Sequence, residues 1–571
     1  MPSDAAIFQS SSANARAPKV GYLLACVGLA FFAFLFNWKT GHRGVFFEDQ
    51  SGMFDGGWRV LQGQTPYKDF LIPFGPVTFW IQGLFFKLFG VNWSATVLPA
   101  CTFNTLATLC IIRIVRLLSG GSRTLGLCSG ILTAVSFQAP FGTLGLEQTA
   151  MFFDLLALQA MVESFNMYPF RRNLWLLASG AMLAIAILSK QNYGVFFVPI
   201  ILAMAAASEL QNFRRAFSSV LIVVAGIVAA IAIFFVWVSV YSDFSSFVER
   251  VLVVAAGIGR SRLGAVRIIK ALSFQEIPNA IQLDVPGIVP GCIVLFLACF
   301  NRSTVDFEAS VWCRMAPASA LTMLLPWFRS MTQGTTDNEW QNNFAFAGLA
   351  GGLGLSLVLF LGRRFTIAPN AAGDFIPHLP STRAVRIFVC SMAGVWGIAA
   401  MLYEGSAAWT RKVQEFEAGT DFRKEVQVRG MEGVWWGEPT RTDQGSGSLW
   451  QETDFEKLVS WLSNKRCHFF VMGDSTILYG LLRVPSPQPL LYFLPNHAFR
   501  AEEIPELDGA ILASLERNGV TVVVREKKNW QGTNEVYDMF PRTWAWFTSR
   551  FDRTAEFGNW EVWELRQRST D

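Results

Sequence analysis

The stretch "GVFFEDQSGMFDGGWRVLQGQTPYKDFLIPFGP" (residues 44–76) gathers Glu48, Asp49, Asp55 and Asp69 between one long apolar run and many more. A carboxylate held beside a bilayer can take a proton from an attacking hydroxyl, which is general-base chemistry. The plain alternative is that Asp49 caps a helix and Asp69 closes a turn. A second group of residues has the opposite charge. Segment 241–284 carries Arg250, Arg260, Arg262, Arg267 and Lys270. On a helix, Arg260, Arg267 and Lys270 share one face, with Val266, Ile269 and Leu272 opposite. Guanidinium forks match phosphate oxygens, and the same face also suits anionic lipid headgroups. Lys190, in "SKQNYG", interrupts two short apolar runs. An ionisable residue at such a break is a functional candidate, with snorkelling to the interface as the alternative.

Two weaker groups complete the inventory. Glu147 opens an apolar run in "TLGLEQTAMFF", where it would also complement a helix dipole. "SMTQGTTDNEWQNN" holds Asp337, Glu339 and Trp340. Acids accept from sugar hydroxyls and an indole stacks on a sugar face, although a solvated loop has the same composition. "VMGDS" at 471–475 lacks the spacing of a nucleophile turn, so Asp474 or Ser475 reads as a helix cap.

The elements that must position these residues follow from composition. The 571 residues are 52% hydrophobic and only 16% charged, against about 25% charged in a soluble protein. That marks an integral membrane protein. A net charge of +4 gives no argument for nucleic acid. Most of the nine cysteines lie in apolar runs, and the four histidines are scattered. Neither a disulfide framework nor a histidine-based metal site follows. A spanning helix needs about 20 apolar residues, which predicts spans near 20–37, 94–118, 124–141, 149–167, 173–189, 193–208, 217–240, 285–301, 311–328, 344–362 and 385–403.

Alternate counting from a cytoplasmic N-terminus leaves Arg113, Arg116, Arg123, Arg171, Arg172, Arg214, Arg215, Arg302, Arg314, Arg363, Arg364, Arg383 and Arg386 inside, as the positive-inside rule asks. Residues 38–93 and everything beyond about 404 then lie outside. The run 76–90 is too short to span and reads as an interfacial or re-entrant helix. Phe54, Trp58 and Leu61 recur at i, i+4 and i+7, predicting an amphipathic surface helix that begins just after Asp49 and ends near Gly63. The expected organisation is a cytoplasmic tail (1–19), a membrane domain (20–403) and an outer domain (404–571). In the last, "TDFEKLVSWLSNK", capped by Thr453 or Asp454, and "IPELDGAILASLERNG" read as helices. "CHFFVMG" and "VTVVVRE" read as strands, giving a small α/β unit on a mainly α polytopic protein.

The Glu48-Asp49 pair, the Gly63-Gln64 turn with Pro66-Tyr67 and Asp69-Phe70, and the proline-rich entry to 76–90 together resemble the C-type glycosyltransferase superfamily. The branch is the polyprenyl-phosphate-sugar-dependent one, with protein O-mannosyltransferases and lipid A aminoarabinose transferases. "LLASGAMLAIAILSKQNYG" resembles its short helix ending in a lysine-containing break. The resemblance implies transfer of a hexose or pentose from a polyprenyl-phosphate donor to an acceptor hydroxyl, with inversion, at the outer face of what would be a bacterial inner membrane. A glycolipid, polysaccharide or protein is the acceptor. Carried over by position, Asp49, with Glu48 beside it, is the base. The donor phosphate falls to Lys190, Arg250, Arg260, Arg262, Arg267 and Lys270. Asp69, Glu147, Asp337, Glu339 and Trp340 remain for acceptor and sugar. The resemblance admits a divalent ion (Mg or Mn), although no ligand spacing demands one. An O-antigen ligase or polymerase, and a transporter with Asp154 as its deep acid, are the alternatives.

Overall fold

A computed structural model of the chain describes residues 19–138, 142–257, 288–296, 309–336, 345–367, 383–409, 425–436, 450–491, 493, 499–528 and 539–566, apart from positions 46, 166, 211 and 466. The apolar runs form helices: α1 (Lys19–Gly41), α2 (Phe47–Leu61), α3 (Val77–Phe89), α4 (Trp93–Leu118), α5 (Arg123–Ser136), α6 (Leu146–Ser164), α7 (Pro169–Ile187), α8 (Gln191–Ala207) and α9 (Phe213–Tyr241). The short α10 (Phe244–Phe247) runs into a π-helical turn, Val248–Val254. Further along are α11 (288–296), α12 (Ala309–Thr336), α13 (Ala347–Ile367) and α14 (Arg383–Trp409).

Among the described residues, Val20–Gly41, Trp93–Leu118 and Phe213–Tyr241 are long and apolar enough to cross a membrane. At about 1.5 Å per residue, even the shortest of them matches a hydrocarbon core of about 30 Å. Their outward residues, such as Leu23, Leu24 and Phe31 on α1 and Val228, Ile233 and Val236 on α9, are exposed. Apolar side chains in that position face lipid, so the protein is an integral membrane protein. The 13-residue α3 is too short to span a bilayer.

Polar pins and close approaches hold the bundle together. The buried Asn104 amide donates to Ala33 O and Ala134 O, both at 2.9 Å, joining α4 to α1 and α5. In hydrocarbon such a bond replaces an unsatisfied group. Helices α7 and α9 cross through Gly180 and Gly226. A Cβ on Gly180 would fall 2.0 Å from Val223 O, and one on Gly226 2.3 Å from Leu177 O. Only glycine lets the backbones meet there.

The C-terminal region is α/β, as its sequence predicts. Helix α15 (Glu452–Lys465) precedes β1 (Phe469–Met472). After α16 (Ile477–Leu482) and α17 (Ile504–Arg517) comes β2 (Val522–Glu526). Then follow α18 (Pro541–Arg550), β3 (Phe551–Phe557) and β4 (Trp560–Leu565). The sheet order is β1-β2-β4-β3, with β1 and β2 parallel and the other pairs antiparallel. The crossover helices α16 and α17 are what a parallel pair requires. Helix α17 stops at Gly519, whose φ is +58°, as expected. Helix α15 begins at Glu452, so neither Thr453 nor Asp454 is its cap; the first turn bonds back to Gln451 O instead. The β3–β4 hairpin, turning at Gly558-Asn559, is an element the sequence reading did not contain.

Candidate active site at the first loop

Helix α2 is held between α3 and the C-terminal region. Phe47 at its start lies within 5.2–5.8 Å, ring to ring, of Trp436, Trp450, Phe455 and Trp560. That aromatic pocket draws the helix start back to residue 47. Asp49 therefore lies in the first turn, where the sequence reading placed it just ahead of the helix. Phe54 meets Phe86 of α3 at 4.8 Å, and Gly480 of α16 packs on its other side. The Trp58 indole donates to Val484 O at 2.9 Å. The apolar stripe expected to rest on lipid is covered by protein instead. Gln50 donates to Thr143 Oγ1 at 3.1 Å, tying the helix to the loop before α6.

One turn further, Asp55 and Arg59 form an ion pair at 2.8 Å, both essentially without solvent exposure. The remaining guanidinium N–H groups reach Gln488 O at 2.6 Å, the Ser486 hydroxyl and Leu490 O at 3.4 Å. Burial pushes the Asp55 carboxyl up, against the opposing pull of Arg59 and Ser486. This pair fastens the first loop to the 484–490 segment, a structural use of two of the loop's charges.

Residues 64–77 carry the chain from α2 to the break between α7 and α8. Asp69 is exposed and accepts from Thr65 N at 2.6 Å, as a turn residue does. Tyr67 has φ +69°, is buried, and donates to Phe74 O at 2.7 Å. Gly75 lies on the backbone of the break: a Cβ there would fall 1.7 Å from Leu188 O. Gln191 donates across the same seam to Pro73 O at 2.9 Å and Val251 O at 3.3 Å. Lys190 thus sits where loop, break and π-helical turn converge. Its ammonium pairs with Glu147 and lies 5.7 Å from the Tyr193 ring centroid.

The structure brings two predicted residues together, Lys190 and Glu147, as an ion pair. It gives Arg250 to the C-terminal region, where it forms an ion pair with Glu503 at 3.2 Å and its side chain is 9% exposed. Asp154 is buried in α6, and among the described residues neither of its carboxylate oxygens has a hydrogen-bond partner. Arg260, Arg262, Arg267, Lys270, Asp337, Glu339 and Trp340 lie outside the described residues, as does the Glu48 side chain. Among the described residues, no group of three His, Cys, Asp or Glu is arranged to hold a metal ion.

Two groups at the site had no functional role in the sequence reading, one of them unnoticed and the other taken for a helix cap. Arg329, 4% exposed, follows Phe328, whose ring meets Tyr193 edge-on at 6.1 Å. An arginine closing an apolar run ("LLPWFRSM") was the available signal. The other is the turn Gly473–Ser475. Ser475 is not a helix cap, since its hydroxyl donates to Glu526 and accepts from the Trp560 indole at 3.0 Å.

Residues 73–239 match the model of the dolichyl-phosphate-mannose-protein mannosyltransferase family. No curated protein matches the sequence. Among solved structures the chain is similar to ArnT from Cupriavidus metallidurans bound to undecaprenyl phosphate. Identity is 13% over 96% of this chain and 98% of that one, with a TM-score of 0.49. Arabinosyltransferase EmbB from Mycobacterium smegmatis is similar at 14% identity over 68% of this chain and 40% of that one, with a TM-score of 0.35. The stretch similar to the dolichyl-phosphate-mannose-protein mannosyltransferase family, residues 73–239, holds the docked segment 73–77, α3 and the Lys190 break.

Proposed function

We propose that the protein transfers a sugar from a polyprenyl-phosphate donor to an acceptor hydroxyl at the outer membrane face, with inversion. The observation that carries this reading is the docking of 73–77 onto the Lys190 break within the family-matched region. It joins the helix bearing Asp49 to a cationic position next to the bundle.

In this reading Asp49 accepts the proton of the acceptor hydroxyl. The hydroxyl oxygen bonds to the anomeric carbon from one face. The bond to the phosphate oxygen breaks on the other, and the electron pair leaves with the polyprenyl phosphate. Negative charge grows on that phosphate, so a fixed cation beside it lowers the barrier. Lys190 fills that role by exchanging Glu147 for the donor phosphate, joined by Arg329, whose neighbour Phe328 packs against Tyr193. Arg250, engaged by Glu503, holds the π-helical turn rather than the donor. The N-terminus lies in the cytoplasm and the C-terminal region outside, in a bacterial inner membrane. The sugar moved is a hexose or pentose, and the acceptor is a glycolipid, a polysaccharide or a protein.

The test is donor dependence. Membranes containing the protein should move label from a polyprenyl-phosphate sugar to an endogenous acceptor, and should not use a nucleotide sugar once lipid-linked donor synthesis is blocked. Transfer straight from the nucleotide sugar would overturn the reading.

A further inference from the structure

Lys190 is an extended residue in the break between two helices. Helix α7 stops at Ile187, α8 starts at Gln191, and Lys190 has φ −149° and ψ 113°. As the N-cap of α8 it makes no capping bond with its side chain. Its place is set by the residues on either side. Before it, Leu188 O accepts from Val77 N at 3.4 Å and lies against Gly75. After it, the Gln191 side-chain amide donates to Pro73 O at 2.9 Å and to Val251 O at 3.3 Å. Both acceptors are carbonyls, so only the two N–H groups of the amide can face them.

The Val251 carbonyl belongs to the π-helical turn Val248–Val254, a form that is rare and concentrated at functional sites. This turn is held from outside at two points. Phe247, which leads into it, packs edge-on against Tyr67 at 5.2 Å. Arg250, next to Val251, forms its ion pair with Glu503, and both side chains are buried. Glu503 ends the 3-10 turn Ala501–Glu503 ahead of α17. There its Oε2 accepts from Arg500 N at 2.8 Å, and its Oε1 lies 3.7 Å from the Arg500 guanidinium. A buried ion pair adds little net stability over apolar residues of the same size, yet loss of one partner strands the other. Its use here is geometric: it fixes where the turn sits.

We propose that the C-terminal region positions the donor site through this chain of contacts: Glu503 holds Arg250, the turn so held presents the Val251 carbonyl to Gln191, and Gln191 fixes the break that carries Lys190. Glu503, Arg250 and Gln191 are positioning residues that act through Lys190. What Lys190 binds comes from the proposed function, on which this inference rests. The contacts lie in series, so a slip at one of them reaches the ammonium as a displacement. A displacement of about 1 Å is enough to weaken a positioned contact severely. A cation that holds the donor phosphate before and during transfer then loses donor affinity and leaves the chemical step alone.

The full-length protein in lipid vesicles, with a polyprenyl-phosphate sugar as the varied substrate, tests the chain. Gln191→Met keeps the side-chain length and removes both donors. It should raise donor KM about tenfold, the loss of two neutral hydrogen bonds. Glu503→Gln should raise donor KM about fivefold. In both variants kcat and acceptor KM should stay within about threefold of the unaltered protein. Partial unfolding would instead lower kcat, because it removes active molecules. In the double variant donor KM should stay within about threefold of the larger single effect, whereas independent sites would multiply to about fiftyfold. Glu503→Asp keeps the charge and shortens its reach. It should give the same pattern at smaller size, and it decides the case if Glu503→Gln does not fold. Hydrogen exchange needs no turnover: the amides of residues 188–194 should exchange about tenfold faster in Gln191→Met and in Glu503→Gln.

Multiplying effects on donor KM would overturn the chain of contacts. So would exchange at 188–194 that ignores both Glu503 variants. A donor KM that rises in Lys190→Ala but not in Gln191→Met would also overturn it, and would leave the donor role of Lys190 standing. A donor KM unmoved by Lys190→Ala, with exchange at the break still tied to Glu503, would remove that donor role and keep the link between the C-terminal region and the break.

Discussion

Arg59 and Asp55, one helical turn apart on α2, form an ion pair at 2.8 Å with both side chains buried. The guanidinium continues to Ser486, Gln488 and Leu490 across more than 400 positions of sequence. Replacing Arg59 by Met would leave Asp55 buried and unpaired, a loss of about 3–5 kcal/mol. Lys offers one ammonium in place of a planar fork and should rescue little of it. Thermal unfolding, with limited proteolysis between residues 404 and 450, should show the C-terminal region released first.

Gly75 gives a backbone test of the docked loop. Its substitution by Ala puts a methyl group against Leu188 O, and a backbone atom cannot move aside as a side chain can. Gly75→Ala should lower transfer by at least about tenfold, some 1.4 kcal/mol or more. Gly28→Ala, where nothing lies within 4 Å, should stabilise its helix or change nothing. Equal activities for the two variants would show that the seam at 73–77 and 188–191 is incidental.

Lys190 and Glu147 should respond in opposite ways if the lysine changes partners. Lys190→Ala removes a charged contact to the donor, which at about 1.5–3 kcal/mol is roughly a tenfold to hundredfold rise in donor KM. Glu147→Gln takes away the competing acid, so donor KM should stay level or fall. A comparable rise in both variants would mean that the pair is only a brace for the break.

Glu526 supplies a pH test outside the membrane. Burial holds its carboxyl up, although the Ser475 hydroxyl and two backbone N–H groups pull it down. A folded-state value above the ordinary 4.5 means that stability is lost as pH rises beyond 4.5. Glu526→Gln keeps an acceptor for those donors and does not ionise, so its unfolding temperature should fall less with pH. An identical pH profile for the two proteins would contradict this reading of the burial.

Local chemistry was legible in the sequence wherever one helix or strand decides it. The apolar runs of α1, α4 and α9, the strands around Phe470 and Val523, and the stop at Gly519 follow from periodicity and turn chemistry. The α2 stripe was legible as a face, but what covers it was not. Phe54 and Trp58 meet Gly480 and Val484 across more than 420 residues, and no local pattern encodes that contact. For the same reason Arg250 read as a free cation until Glu503 was seen beside it. The hairpin at 551–565 was missed although "FGNW" carries a turn signal, because charged residues such as Arg553 and Glu556 break up its apolar pattern. Asp474 read as a helix cap because a carboxylate before a short helix normally is one; only its burial shows otherwise.

The central claim is that Asp49 accepts the acceptor proton. The direct measurement is sugar transfer from a polyprenyl-phosphate donor by the purified Asp49→Asn protein in vesicles, with its fold verified by an unchanged unfolding temperature. The account predicts a fall in kcat of about 10²-fold to 10⁴-fold, with little change in donor KM. Transfer within about threefold of the unaltered protein would contradict it.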